Sequence, residues 1–357
     1  MQPLGPAKGR GALLNPANRF EAERREAFDD GWGTLNELTD APSPRTELIA
    51  DTTRRLIARN ASPDIPFTQS INPYRGCEHG CIYCYARPSH AFWGFSPGLD
   101  FETKIFIKPD AAALLRAELA RPGYRPSTIA LGANTDPYQP IESRLRTTRS
   151  ILEVLAETRH PVGIVTKSAR IVRDLDILTS LARDRLVHVD ISVTTLDPEL
   201  ARRMEPRAST PRRRLAAVEA LAKAGVPVGV NVSPIIPGLT DHEIEAIVAA
   251  AAAAGAAGAN SILVRLPLEV RPLFESWLAE HYPDRAARIL SLIRQCRDGR
   301  LNDPDFGSRM KGSGPIADLI RRRFHAACQR HGLHSRDYPS RIDLFRPPWS
   351  DGQLSLL

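Results

Sequence analysis

The chain has 357 residues, of which 42% are hydrophobic and 25% charged, proportions that are typical of a folded globular protein and exclude wholesale disorder. The formal net charge of +7 permits binding to nucleic acid without establishing it. No apolar run reaches the ~18 to 20 residues that would cross a bilayer, and the first residues lack the apolar stretch of a signal peptide. We therefore expect a cytoplasmic protein with no membrane segment, built as one large domain with appendages or as about two domains.

The first part of the chain, residues 1–66, contains many loop-forming residues and little hydrophobic periodicity. One short helix is predicted near Thr52–Asn60. Because apolar runs are scarce, we expect this part to be an extension, only partly ordered, that lies on the main domain rather than a unit with its own core.

From Phe67 onward, short β-branched runs alternate with segments of helical periodicity, which is typical of βα units and a parallel sheet. The predicted strands are Thr68–Asn72, Thr128–Gly132, Val162–Thr166, Val187–Val193, Val226–Val232 and Ser261–Arg265. The predicted helices between them are Ala111–Ala120, Ser143–Thr158, Ile171–Arg183, Thr210–Ala224 and Asp241–Ala254. Six repeats fit either an open barrel or a doubly wound sheet, and both place active residues at the carboxyl ends of the strands.

A helical tail is predicted after Pro267. Its helices are expected at Phe274–Glu280, Asp284–Asp298 and Pro315–His331. The chain therefore divides into the extension 1–66, an α/β domain over 67–268 and a helical C-terminal region over 269–357.

The strongest chemical signal is a group of three cysteines, Cys77, Cys81 and Cys84, within the segment NPYRGCEHGCIYCYARPSHAF. An odd total of five cysteines with three so clustered does not suit a secreted disulfide framework and indicates a metal site. Three thiolates are one fewer than a closed 4Fe–4S cluster or a structural zinc site needs. A cluster held in this way keeps one iron open, to which a small molecule with an amine and a carboxylate could chelate.

The alternative for these cysteines is a zinc site completed by His79, by His90 or by a further cysteine. Zinc ligands, however, are usually two pairs separated by a longer spacer. Cys296 and Cys328 lie in helical contexts of the tail and are predicted to be buried thiols.

The spacing Cys77-x3-Cys81-x2-Cys84, with the aromatic Tyr83 before the third cysteine, resembles the radical S-adenosylmethionine (radical SAM) superfamily. The segment NPYRGCEHGCIYCYARPSH, followed by TDPYQPIE at Thr135–Glu142, is similar to its bacterial branch related to spore photoproduct lyase, often labelled "DNA repair photolyase". The resemblance covers about residues 66 to 270. It implies a partial (β/α)6 barrel and a 4Fe–4S cluster whose open iron binds S-adenosylmethionine (SAM). One-electron reduction would then cleave SAM to a 5′-deoxyadenosyl radical that abstracts hydrogen from a substrate.

The resemblance also implies roles for individual side chains. Tyr83 would lie near the SAM adenine, and Tyr85 would take part in the radical path. Thr135 would lie near SAM, and Lys167, which ends the third predicted strand in a lysine-poor chain, would neutralise the SAM carboxylate.

Three further polar residues are candidates for the cofactor site because they follow or end predicted strands. Asp136 forms a polar pair with Thr135, although a cap on the turn before Pro137 is the plainer interpretation. Ser192 and Ser233 end the next two strands, and strand hydroxyls often serve packing alone.

The sequence departs from the photoproduct lyase pattern in one respect. That enzyme carries a hydrogen-donating cysteine near the end of the second strand, where this chain has Ala133 and Asn134. Lesion reversal by that route is therefore in doubt.

The sequence leaves the substrate open. Arginine clusters at Arg202–Arg203, Arg207, Arg212–Arg214 and Arg321–Arg323 indicate either a phosphate-binding surface for DNA or RNA or merely solvated helix faces. A protein or small metabolite is the alternative substrate, and a zinc-bound, non-catalytic nucleic-acid-binding protein is the alternative outside the enzyme classes. As an enzyme, the chain would also need a reductant such as flavodoxin or ferredoxin.

Overall fold

The computed structural model describes residues 8–21, 45–333 and 340–348. Ten strands occur in these ranges: β1 (Glu47–Ala50), β2 (Ile57–Arg59), β3 (Gln69–Ile71), β4 (Tyr74–Arg75), β5 (Lys104–Ile107), β6 (Ile129–Leu131), β7 (Val162–Thr166), β8 (Val187–Ser192), β9 (Val228–Ile235) and β10 (Gly258–Leu263). The α-helices of the same ranges are α1 (Asp100–Thr103), α2 (Ala111–Leu119), α3 (Glu142–Leu145), α4 (Thr147–Glu157), α5 (Leu175–Arg183), α6 (Pro198–Met204), α7 (Pro211–Lys223), α8 (Ile244–Ala253), α9 (Val270–His281), α10 (Pro283–Gln295) and α11 (Gly314–Arg330).

The main sheet has seven strands in the order β10-β9-β8-β7-β6-β3-β2. β3 and β6 to β10 are parallel to their neighbours, and only the edge strand β2 is antiparallel. The parallel strands follow one another across the sheet in chain order, whereas a doubly wound sheet reverses direction at a switch point. Of the two architectures that the sequence allowed, the partial (β/α)6 barrel is therefore confirmed.

The core lies between the sheet and the helices on its outer face. Alternate strand residues such as Ile164, Val189 and Val230 are fully or almost fully buried against α2, α4, α5, α7, α8 and α11. The other face is only partly covered, since Val165 in the central strand β7 is 37% exposed. An accessible side chain in mid-sheet means that the concave face of the barrel is open.

The predicted elements of the α/β domain occur in the predicted order, and the structure adds β4, β5, α1 and α6, which were not predicted. Val162–Thr166 has the predicted bounds, and the other five predicted strands overlap observed ones. The single helix predicted at Ser143–Thr158 is instead α3 and α4, because Arg146 between them adopts a left-handed conformation with φ 54°. The three helices predicted in the tail correspond to α9, α10 and α11.

The helix predicted at Thr52–Asn60 is wrong, because Ile57–Arg59 forms strand β2 and pairs with β3. Without β2, the backbone groups on one edge of β3 would have no partners, and they pair with Ile57–Arg59. Local sequence propensity does not include this pairing. The side chain of Glu118 on α2 also accepts from the backbone N–H of Leu56. This strand ties the extension to the main sheet, while the boundaries at residues 66 and 268 stay predictions. Part of the extension, residues 22–44, lies outside the described residues.

A second, small sheet has the order β1-β5-β4 and was not predicted. It joins β1 of the extension to the segments on either side of the three cysteines, which places the extension beside them. Among the described helices none is both long and apolar enough to span a membrane.

Candidate cofactor site

The three cysteines lie on one loop, residues 76–86, which we call the cysteine loop. It begins shortly after β3, with only the short β4 between. Cys77 and Cys81 are buried, and Cys84 is partly exposed. Burial raises the pKa of the Cys77 thiol, and the neighbouring charges of Asp136, Cys81 and Cys84 raise it further.

This arrangement fits an iron–sulfur cluster. Burial also raises the pKa of Cys81, and the charges of Glu205 and Cys84 add to this while Lys167 opposes it. Three thiolates that repel one another in a buried loop are stabilised by a bound cationic centre, which is how metal ligands become deprotonated. Among the described residues, no three His, Cys, Asp or Glu side chains converge as a site for one metal ion. The thiols of a cluster bind different irons and need not converge in that way.

A buried arginine, Arg87, holds the cysteine loop in shape. Its guanidinium donates to the carbonyl oxygens of Cys81 at 2.9 Å and Gly80 at 3.1 Å, and to the carboxylate of Glu102 at 2.5 Å. It also donates to the carbonyl of Gly98 at 2.9 Å. Loop carbonyls without secondary-structure partners are thus satisfied by one side chain. Arg87 could not be predicted from the sequence, because its partners can be recognised only once the loop is folded.

The polar pair after β6 supports the same loop. Thr135 Oγ1 donates to the Gly76 carbonyl at 2.6 Å, and Asp136 Oδ2 accepts from the Lys167 N–H at 2.7 Å. His79 Nδ1 lies 3.3 Å from Asp136 Oδ2.

The surroundings of Asp136 keep its carboxyl group ionised. Burial alone would raise the pKa of Asp136, but His79, the Thr166 hydroxyl and the Lys167 N–H outweigh the effect of burial and lower the pKa to about 2. Asp136 is thus an ionised anchor between the ends of β6 and β7, and it also caps the turn at Tyr138 N.

Two predicted cofactor residues have groups available for a ligand. Lys167 places Nζ 5.8 Å from the Tyr83 ring centroid, and its charge acts on the Cys81 thiol. Ser233 Oγ is buried, and no described residue offers it a hydrogen bond. Ser192 is 4% exposed and lies opposite Asn231 in the β8–β9 register. A cation and an orphaned hydroxyl beside the cysteine loop suit a ligand that carries a carboxylate and hydroxyl groups.

Tyr83 is buried, and its hydroxyl is engaged by other side chains. Its hydroxyl contacts Thr194 Oγ1 at 3.2 Å and donates to Glu205, which also binds the guanidinium of Arg214. Glu205 and Arg214 are 2% and 1% exposed. The sequence does not predict this network, because it places Arg214 in an arginine cluster expected at the surface. The expected contact between Tyr83 and adenine stays a prediction, and it would involve the ring rather than the hydroxyl.

Tyr85 has the opposite surroundings. Its surface is 52% exposed, and its hydroxyl donates to the Ala133 carbonyl at the end of β6. Even so, desolvation by the surrounding protein and then the Cys84 charge raise its pKa to about 12. A side chain that is accessible to solvent and yet surrounded by protein lines a recess. Tyr85 therefore lies in the mouth of the barrel, where the radical role expected from the resemblance stays a prediction.

The remaining candidates are distant from the loop or engaged elsewhere. Cys296 and Cys328 are buried in the tail, as predicted. His90, considered as a zinc ligand, packs against Phe95, Phe101 and Phe106.

The arginine clusters are mostly engaged by acids. The pairs are Arg203 with Glu199, Arg207 with Glu78, Arg214 with Glu205, Arg321 with Asp318, and Arg323 with Glu245. Arg214 is buried, so neither a phosphate-binding surface nor a solvated helix face describes it.

The fold and the site together define a partial barrel with a three-thiolate loop at its mouth. A profile of the Radical SAM superfamily matches residues 71–251, and the chain belongs to that superfamily. Members are enzymes that use a 4Fe–4S cluster and SAM, so the chain is an enzyme of this class.

Several similar proteins carry no assigned function. An uncharacterized protein of Mycobacterium tuberculosis is 40% identical over 233 residues, which are 65% of this chain and 68% of the relative. An uncharacterized protein of Methanocaldococcus jannaschii is 27% identical over 173 residues, 48% of this chain and 62% of the relative.

Solved structures of spore photoproduct lyase share the fold. The lyase complexed with dinucleoside spore photoproduct matches with a TM-score of 0.57 and 18% identity over 80% of this chain and 79% of the lyase. A variant with bound AdoMet and the same dinucleoside matches with a TM-score of 0.55 and 17% identity, with the same coverage.

Proposed function

We propose that Cys77, Cys81 and Cys84 hold a 4Fe–4S cluster at which SAM is reductively cleaved, and that hydrogen abstraction from a substrate in the barrel follows. The cluster, when bound, supplies the electron that cleaves SAM and so initiates radical chemistry. The observation that carries the proposal is the single buried loop of three thiols beside a cation and an orphaned hydroxyl.

The chain's own residues would bind and orient the cofactor. Lys167 would neutralise the SAM carboxylate. Ser233 and Ser192 would form hydrogen bonds with polar groups of SAM. Thr135 and Asp136 would act on the cysteine loop and on Lys167 rather than on the ligand, which is consistent with their hydrogen bonds. Tyr85 would face the substrate from the recess at the mouth, while the buried hydroxyl of Tyr83 would stay with Glu205.

The substrate is a separate question. Nucleic acid remains one class to test, because a lyase of the same fold was solved with a dinucleoside photoproduct. The engaged arginines and the absence of a cysteine at Ala133 and Asn134 argue against copying that reaction. A protein or small metabolite is the alternative substrate. A flavodoxin or ferredoxin of the cytoplasm would be the reductant.

The test is anaerobic reconstitution with iron and sulfide, followed by SAM and dithionite. We expect about four irons per chain, the content of one such cluster, and release of 5′-deoxyadenosine. Cys84→Ala should lose both, whereas the matched control Cys328→Ala, which removes a thiol of the tail, should retain both. Absence of 5′-deoxyadenosine from a protein with a fully loaded cluster would overturn the proposal, and zinc without iron would favour the non-catalytic alternative.

A further inference from the structure

The strand register places side chains on the concave face of the barrel in rows. Ser192 lies opposite Asn231, and Asn231 opposite Asn260. One layer deeper, Val165 lies opposite Asp190, Asp190 opposite Gly229, and Gly229 opposite Gly258. Because residues i and i+2 of a strand share a face, this second set, which we call the inner row, lies about 7 Å below the row of Ser192.

The inner row borders an open space. Val165 is 37% exposed although β7 has strands on both sides. Gly229 and Gly258 contribute no side chains, so nothing from β9 or β10 fills the space beside Asp190. The row of Ser192, a proposed cofactor residue, lies directly above this space, so the space is next to the proposed chemistry.

Asp190 is an acid without a cation. A Cβ built at Gly229 would lie 2.6 Å from Asp190 Oδ1, so the carboxylate lies across β9 at a position that only glycine leaves free. Burial raises its pKa to about 6, and no other cause contributes. Within the described part of the chain, its carboxylate has no hydrogen-bond or ion-pair partner.

The neighbouring His188 does not compensate for this charge. It lies one layer deeper on the same face of β8, and its ring covers Gly163, where a Cβ would come within 2.4 Å of Cε1. Burial lowers the pKa of His188, which favours the neutral imidazole. A carboxylate that is desolvated without a partner costs stability, and such groups are found where a ligand supplies the partner.

We propose that the inner row binds the substrate and that Asp190 selects it by accepting hydrogen bonds from an N–H-bearing group. Amides, amidines and protonated amines meet this requirement, whereas a carboxylate or phosphate would be repelled from the inner row. The proposal rests on the proposed function, because the space matters only if substrate enters beside SAM. Asp190 is thereby a specificity residue, and Asn231 and Asn260 above it add amide groups that donate and accept.

The test uses three probes with the same ring and different head groups: benzamidine, benzamide and benzoate. Their dissociation constants are measured by saturation-transfer NMR on the reconstituted protein, anaerobically, with saturating SAM at pH 7.5. We expect benzamidine to bind at least tenfold more tightly than benzoate, with benzamide between them. Asp190→Asn, which keeps the shape, should reduce this ratio at least fivefold. The control Glu219→Gln, which removes an exposed acid on α7, should leave the ratio unchanged.

The outcomes separate this proposal from the proposed function. A preference for benzoate, no binding of any probe below about 10 mM, or an unchanged ratio in Asp190→Asn would each overturn the role of Asp190. Release of 5′-deoxyadenosine by the unaltered protein is measured independently. If that release fails while the probe preference holds, the proposed chemistry is wrong and the binding site stands.

Discussion

Tyr83 and Tyr85 have opposite surroundings although they flank the same cysteine. Tyr83 is buried with its hydroxyl on Glu205, whereas Tyr85 is half exposed in the mouth of the barrel. The cysteine spacing and the resemblance singled out both tyrosines. The spacing and the resemblance could not distinguish the two tyrosines, because Glu205 and Arg214, which engage Tyr83, are more than a hundred residues away in the chain. The spacing predicted the thiols, but it could not predict Arg87 or Asp190. The role of Arg87 depends on how the cysteine loop folds back on it, and that of Asp190 on the register of neighbouring strands.

The first prediction concerns these two tyrosines. Tyr83→Phe should lower the free energy of unfolding by about 1.5–3 kcal/mol, because it removes a buried hydrogen bond to a charged carboxylate. The Glu205 oxygen concerned then keeps only the hydroxyl of Thr194 as a donor. Tyr85→Phe should cost less than about 1 kcal/mol, since water can reach the Ala133 carbonyl. Urea denaturation of the two variants under identical conditions compares them. Equal destabilisation by both changes would mean that the Glu205 network does not stabilise the fold.

The second prediction concerns Lys167. Replacing it with Met removes the cation beside Tyr83 and Cys81 and should weaken SAM binding about tenfold or more, which corresponds to about 1.4 kcal/mol. Equilibrium dialysis with labelled SAM on the reconstituted protein measures the effect. Lys223→Met, at an exposed lysine paired with Glu219 on α7, is the control. If both variants bind SAM like the unaltered protein, the ammonium of Lys167 does not contact the ligand.

At the scale of elements, the N-terminal segment 10–18 lies over the cysteine loop. The N–H groups of Gly11 and Ala12 donate to the two carboxylate oxygens of Glu102, each at 2.9 Å. A Cβ on Gly11 would lie 1.9 Å from the Gly80 carbonyl oxygen. The sequence predicted an extension lying on the main domain, and these contacts specify where it lies. They could not be predicted, because an irregular segment has no periodicity and its partner Glu102 is distant in the chain.

The third prediction follows from that close approach. Gly11→Val should displace the segment from the cysteine loop, because a Cβ at this position would meet backbone atoms that cannot rotate away. The loop would then be more open to dioxygen, and the visible absorption of the reconstituted cluster should decay several-fold faster in air. Gly9→Ala is the control, since a Cβ there meets no atom within 4 Å although the φ of 76° strains the backbone. Equal decay in the two variants would rule out a shielding role for the segment.

At the scale of the whole molecule, the segment 340–348 returns to the amino-terminal side of the barrel. Arg346 N donates to the Thr158 carbonyl at 2.9 Å, and the Phe345 ring packs edge-on against His160 with centroids 5.3 Å apart. The sequence predicted the helical tail up to His331 from its periodicity. It could not predict this return, which depends on an aromatic contact between residues 185 positions apart.

The fourth prediction concerns the pH dependence that His160 gives to the whole fold. Burial lowers its pKa from 6.5 to about 4, although a hydrogen bond to the Pro161 carbonyl opposes the shift. As the pH falls, the unfolded state therefore binds a proton at His160 before the folded state does. The stability that the neutral His160 gives to the fold is fully present above pH 6.5 and is lost as the pH falls towards 4. At pH 4.5 the loss should be about 2–3 kcal/mol relative to pH 7.5.

His160→Gln should remove this part of the acid sensitivity, whatever it does to stability at neutral pH. Urea denaturation at a series of pH values between 7.5 and 4.5 gives the slope for each protein. The control is His331→Gln, at an exposed histidine beyond α11, which should keep the slope of the unaltered chain. Burial also lowers the pKa of His90, and this histidine is present in both variants, so its contribution to the slope is the same in each. An unchanged slope in His160→Gln would mean that His160 binds a proton as readily in the folded protein as in the unfolded chain, which would contradict the lowered pKa.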